Sequence, residues 1–171
     1  MTTADVAPAA ATQPALQRLE RRVVPYWYLT DVTSSVVFCA MLWFATTLVQ
    51  EHAEDWYALA RTVALVLGGT SLAWNLVAPG LNYARWRYGI DDELLVMRYG
   101  ILFHEERVIP IRRMQHVDLL RGPIERLFGL ATLVVYTAGN EGSAFRVPGL
   151  AAATAQQMRD RILKARGDDV L

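Results

Sequence analysis

Five arginines, Arg107, Arg112, Arg113, Arg121 and Arg126, fall within twenty residues of one another. Guanidinium groups hold phosphate or carboxylate oxygens two at a time, so such a cluster can bind lipid headgroups or an acidic partner. Arg112, Arg113, Arg121 and Arg126 are the candidate binding residues on this count. Glu105, Glu106, Asp118 and Glu125 share the stretch and offer the plainer reading, a solvated face of ion pairs. From Arg85 to Leu171 there are 13 basic and 11 acidic residues, a net of +2, which favours the solvated face.

Other chemistry is poorly supplied. The three histidines, His52, His104 and His116, lack zinc-ligand spacing, and Cys39 is the single cysteine. Cys39 lies inside an apolar run, where it reads as a small buried side chain. There is no Gly-x-Ser-x-Gly elbow and no phosphate loop, since Gly68-Gly69 sits in an apolar run. Asp91-Asp92 and Glu105-Glu106 are sequence neighbours, which on strands point to opposite faces. The expectation is a non-enzymatic protein without cofactor, metal or small-molecule substrate. A net charge of zero gives no field to draw in nucleic acid.

Apolar residues make up 53% of the 171, and the excess precedes residue 85. Val32 to Val49 is an uncharged run of 18 residues. As a helix it covers roughly 27 Å, the hydrocarbon thickness of a bilayer. Thr62 to Ala84 is a second run of 23, roughly 35 Å, enough to span with some tilt. Trp27 and its tyrosine neighbours precede the first run. Trp56 precedes the second, and Trp86 follows it. Aromatic rings at the span ends suit the headgroup level. Arg85 and Arg87 complete the expected membrane-interface set, beside anionic headgroups. Arg18, Arg21, Arg22, Arg85 and Arg87 flank the outer ends of the pair, against Arg61 alone in the acidic connector. The positive-inside rule then places both termini in the cytoplasm of a bacterium, with the chain in its inner membrane. Asp31 is expected to cap the first helix, and Pro79-Gly80 to kink or end the second. Asn75 is expected to bond across the two helices, and Gly68-Gly69-Thr70-Ser71 to let them approach or, alternatively, to let two copies dimerise.

Residues 1–30 read as a disordered tail and juxtamembrane segment, 31–84 as the hairpin, and 85–171 as a cytoplasmic domain. In that domain the pattern predicts strands over 85–90, 93–99, 101–109 and 111–120. On the last of these, Met114 and His116 share one face, opposite Gln115 and Val117. Gly122-Pro123 opens a short helix, Ile124 to Phe128, stopped by Gly129. A strand from Ala131 to Thr137, a turn at Asn140-Glu141-Gly142 and a strand from Ala144 to Val147 follow. Pro148-Gly149 breaks the sheet. Ala151, Ala155, Met158, Ile162 and Ala165 then mark the apolar face of a closing helix.

Arg107-Val-Ile-Pro-Ile-Arg-Arg-Met-Gln-His-Val-Asp118, Gly122-Pro-Ile-Glu-Arg-Leu-Phe-Gly-Leu-Ala-Thr132 and Thr137-Ala-Gly139 resemble the bacterial pleckstrin-homology-like membrane proteins of the YdbS type. The resemblance implies a bent antiparallel sheet or barrel capped by a C-terminal helix, an α+β domain on a two-helix transmembrane hairpin. It also implies a sister protein with repeated copies of the domain. Together these readings give a membrane-held module that binds another copy or a sister protein. The alternative is recognition of anionic lipid headgroups by the arginine face.

Overall fold

The computed structural model describes residues 14–52, 54–137 and 144–167. Most of the N-terminal tail and the Asn140–Gly142 turn lie outside them. Helix α1 runs from Val23 to His52 and α2 from Glu54 to Arg85. They pack side by side and turn large apolar side chains outward: Met41 is 67% exposed, Phe44 65% and Leu65 59%. Core helices of a soluble protein would cover such groups, so these faces require a hydrocarbon surrounding.

Polar groups along the pair are satisfied locally. Thr33 donates to the Leu29 carbonyl (2.6 Å), Thr46 to Trp43 (2.7 Å) and Thr70 to Val66 (2.8 Å). Asn75 Nδ2 donates to Ser35 Oγ at 2.5 Å, the expected bond between the helices. Gly68 leaves room for Cys39 Sγ, 3.1 Å from where a Cβ would stand, while Gly69 faces open space. Close approach inside the hairpin therefore uses Gly68.

Two helix-end readings change here. Asp31 is not a cap: α1 begins eight residues earlier, with Pro25 in its first turn, where its missing N–H costs nothing. Of the kink or end expected at Pro79-Gly80, the end does not occur, since α2 continues through Pro79 to Arg85. The proline ring deprives the Asn75 carbonyl, four residues back, of its backbone donor, and membrane helices tolerate this where a neighbouring helix or a local backbone adjustment re-satisfies the freed group.

The early start of α1 has a cause. Val23 is fully buried and Leu19 nearly so, both within the core of the following domain. Gln17 exchanges two backbone hydrogen bonds with Tyr88, at 2.7 and 3.0 Å. Residues from Gln17 to Val23, in the segment expected to be juxtamembrane, thus take part in the domain's packing.

The domain holds strands β1 (Arg87–Ile90), β2 (Leu94–Tyr99), β3 (Glu105–Pro110), β4 (Met114–Leu120), β5 (Leu130–Thr137) and β6 (Ala144–Ala151), with helices α3 (Pro123–Leu127) and α4 (Ala152–Gly167). They form two antiparallel sheets, ordered β1-β2-β3 and β4-β5-β6. No closed barrel forms. Pro110 lacks a donor, and a 3-10 turn over Ile111–Arg113 redirects the chain, so the ladder is not carried from β3 to β4. The sheets enclose Leu95, Met97, Ile109, Met114, Leu133, Val135 and Val147. Helix α4 closes the core with Ala155, Met158 and Ile162, as its periodicity predicts. It holds both sheets: Arg161 bonds Asp92 (2.9 Å) in the β1–β2 turn, and Arg166 donates to the Gln115 carbonyl (2.6 Å) on β4.

Three local differences follow from backbone geometry. The third strand starts only at Glu105, because Gly100, with φ +110°, turns the chain into a loop. A bulge between Met114 and His116 puts Met114 inside and His116 outside, reversing their expected sharing of a face. Strand β6 runs through Pro148-Gly149 to Ala151. Proline is admissible because β6 is an edge strand. Gly149 has φ +66°, and a Cβ there would lie 2.7 Å from the Cβ of Val23. Helix α3 is capped by Glu125, which is buried and accepts from the Gly122 N–H and the Thr132 hydroxyl, each at 2.7 Å.

Gly149→Ala should therefore cost about 1–3 kcal/mol through overpacking, on top of the strain of its backbone angle. Thermal unfolding in mild detergent should show a fall of several degrees, with Gly167→Ala, in open space, as the neutral control. Glu125→Ala strands two partly buried donors and should cost about 1–2 kcal/mol by the same measurement.

Candidate functional site

The four candidate arginines do not form one site. Arg112 and Arg113 stand in the 3-10 turn at the head of β4, Arg121 just past its other end, and Arg126 on α3. The seven residues of β4 separate the pairs by roughly 23 Å at the usual strand rise. Arg121 donates to the Ala152 carbonyl at the start of α4 (3.3 Å). Arg126 lies one residue from the buried Glu125, whose oxygens are already committed to Gly122 and Thr132. Two separate basic pairs can each contact a phosphate, but no single headgroup reaches all four side chains.

The acids of β3 are held within their own sheet. Glu106 bonds Arg98 at 3.0 Å. Glu105 accepts from Arg107 (2.9 Å) and from the Tyr99 hydroxyl (3.0 Å). The Arg107 hydrogen bond, then that of Tyr99, holds the Glu105 carboxyl below the usual carboxylate range. The same contact raises Arg107. These groups stay charged at neutral pH, which suits surface pairing and not proton transfer. Burial, followed by the nearby Glu20 charge, pushes the Tyr88 hydroxyl up. Among the described residues, no three of His, Cys, Asp or Glu gather as metal ligands.

The interface residues divide as well. Trp56 is exposed at the far end of α2, and Trp27 is half-buried beside the hairpin's lower turns. Arg85 donates to the Ile101 carbonyl, and Arg87 to that of Trp86 (2.7 Å). Trp86 departs from expectation. It is buried in the domain core, stacked on Tyr99 with centroids 5.1 Å apart, so its ring is covered by protein. The aromatic pattern placed it at a span end correctly in sequence. It did not reveal that the domain closes over it.

Sequence periodicity also left two features unseen. One is which strand carries the open edge of the first sheet, since a sheet edge is expected as a partner surface without a strand to place it on. On the β1 side, the Gln17–Tyr88 pairing covers the ladder, whereas β3 carries no partner on its outer side among the described residues. Glu105, Glu106, Arg107 and Val108 are exposed along it. The other is the loop between β2 and β3, where Leu102 and Phe103 project outward. Gly100 followed by an apolar triplet was the available signal.

Comparison with known proteins agrees with this geometry. The profile described as Bacterial PH domain matches residues 33–166. The chain is 26% identical over 147 residues to the UPF0699 transmembrane protein YdbS of Bacillus subtilis, covering 84% of this chain and 90% of that protein. It is 24% identical over 99 residues to the UPF0699 transmembrane protein YdbT of the same organism, covering 57% of this chain and 20% of YdbT. No solved structure gives a significant match. Exposed apolar helices, a two-sheet domain closed by α4, and a profile spanning both agree: the chain is a transmembrane protein of the bacterial PH domain family, of the YdbS type.

Proposed function

We propose that this protein is a non-enzymatic assembly module, held at the bacterial inner membrane and offering its domain to another copy or to a sister PH-like membrane chain. The carrying observation is the open outer edge of β3. Unpaired N–H and C=O groups on an edge strand are a template for β-addition. Val108, half exposed directly after Glu105, Glu106 and Arg107, supplies an apolar contact at the end of a charged run. The similarity to both YdbS and YdbT supports a sister chain as partner. The domain faces the cytoplasm in this reading, because arginines crowd the domain-side ends of the hairpin and acids its connector.

Purification of the full chain in mild detergent, with mass determination, should return a stoichiometric assembly with itself or a PH-like membrane protein. Val108→Lys, a charge placed on the edge, should dissociate it while leaving thermal stability within about 0.5 kcal/mol. A monomer in the parent protein would defeat the proposal.

A second reading, recognition of anionic headgroups, keeps one half of its arginines. Phe128, at the end of α3, packs edge-on against Tyr26 of α1, with centroids 6.2 Å apart, so Arg121 and Arg126 belong to the hairpin's side of the domain. On this reading Arg121→Ala with Arg126→Ala should lower the anionic phospholipid retained per protein, in a salt-sensitive manner. Arg112→Ala with Arg113→Ala should leave it unchanged.

A further inference from the structure

The loop Gly100–His104 is built, not slack. A Cβ on Gly100 would collide with the Phe103 carbonyl, so the chain doubles back tightly at a positive φ. Arg85, the last residue of α2, donates to the Ile101 carbonyl and lies 3.4 Å from His104 Nε2. Ile101 itself lines a hollow with Trp27 and Asp31 of α1 and Trp74, Ala78 and Asn82 of α2. The loop is thereby clipped to the hairpin alongside residues of the spans. Yet Leu102 is 75% exposed and Phe103 83%. Water is a poor surrounding for two adjacent large apolar side chains held in a fixed turn. Trp74, which lines that hollow with Ile101, is itself half exposed, and Val77 and Leu81 of α2 also turn apolar surface outward.

We propose that Leu102 and Phe103 insert into the headgroup–acyl boundary of the bilayer beside α2, making the β2–β3 loop a second membrane contact of the domain. The occupant is lipid, because the exposed pair directly follows Ile101, which lines a hollow with the span residues Trp27 and Trp74, and the spans turn apolar surface to hydrocarbon. Arg85 lies at the foot of that surface, where a guanidinium meets headgroup phosphates while its bond to Ile101 fixes the loop's depth. Amphipathic elements seat at this level with apolar side chains down and polar groups outward, and His104, Glu105 and Glu106 follow the pair immediately. The inference needs only that the hairpin spans the bilayer. It is independent of any assembly through β3.

The unmodified full-length protein can be tested first, in vesicles of phosphatidylethanolamine and phosphatidylglycerol carrying a diazirine on the acyl chain. After photolysis and trypsin digestion, adducts should appear on the peptide from Tyr99 to Arg107, at Leu102 and Phe103. The peptide from Met114 to Arg121 serves as the control. Equal labelling of the two peptides, or none on the first, would overturn the proposal. A depth measurement supplies the second arm. In a Cys39→Ala background, Leu102→Cys, Phe103→Cys and, on α4, Leu163→Cys each carry a nitroxide, at no more than one copy per vesicle. Collisions with oxygen should exceed those with an aqueous nickel chelate at 102 and 103, and the order should invert at 163. Nickel access at 102 and 103 matching 163 would overturn it. So would protection that arises only at several copies per vesicle, which assigns the loop to a neighbouring copy.

Discussion

The structure depends on burying the first turn of a membrane helix inside a water-soluble core. Val23 is fully covered, and Gly149 yields the space it occupies. Around this contact the Glu20 N–H reaches the Gly149 carbonyl (3.3 Å), and the Ala152 N–H reaches that of Gly129 (3.0 Å). On the other helix, Trp86 enters the same core directly after α2 ends. Both helices are therefore rooted in one hydrophobic cluster, to which Val23 and Trp86 contribute buried side chains. Each buried side chain contributes about 1.5–3 kcal/mol, so the two roots matter in a small domain that buries a modest share of its surface.

The hairpin meets its own constraint by economy. Its hydroxyls return to carbonyls three or four residues back, and its amide meets a serine on the neighbouring helix. The polar side chains Asp31, Asn75 and Asn82 line one hollow between the helices, beside Ile101 of the domain. The partner surface proposed above lies on the domain, where an open sheet edge and two basic pairs stand apart.

Much of this was legible from residue types. Two uncharged runs gave the spans, the 3-4 spacing of Ala155, Met158 and Ile162 gave the closing helix, and Gly122-Pro123 with Gly129 gave α3. Boundaries were misread wherever tertiary contacts overrode local signals. Asp31 resembles a cap, but burial of Val23 moved the helix start upstream. Pro148-Gly149 resembles a break, yet an edge strand tolerates both. The bulge after Met114 inverted one face of β4, since a period of two cannot register an inserted residue. The arginine cluster illustrates the limit most plainly. Neighbours in sequence on an extended strand are distant in space, and periodicity places a residue on a face without fixing which end of a sheet it occupies.

Rooting both helices in one core has a mechanical consequence. A helix longer than the local bilayer adjusts by tilting. With Val23 and Trp86 in the same cluster, and Ile101 clipped to Arg85, a tilt of the pair would carry the domain, and with it the β3 edge, along as one piece.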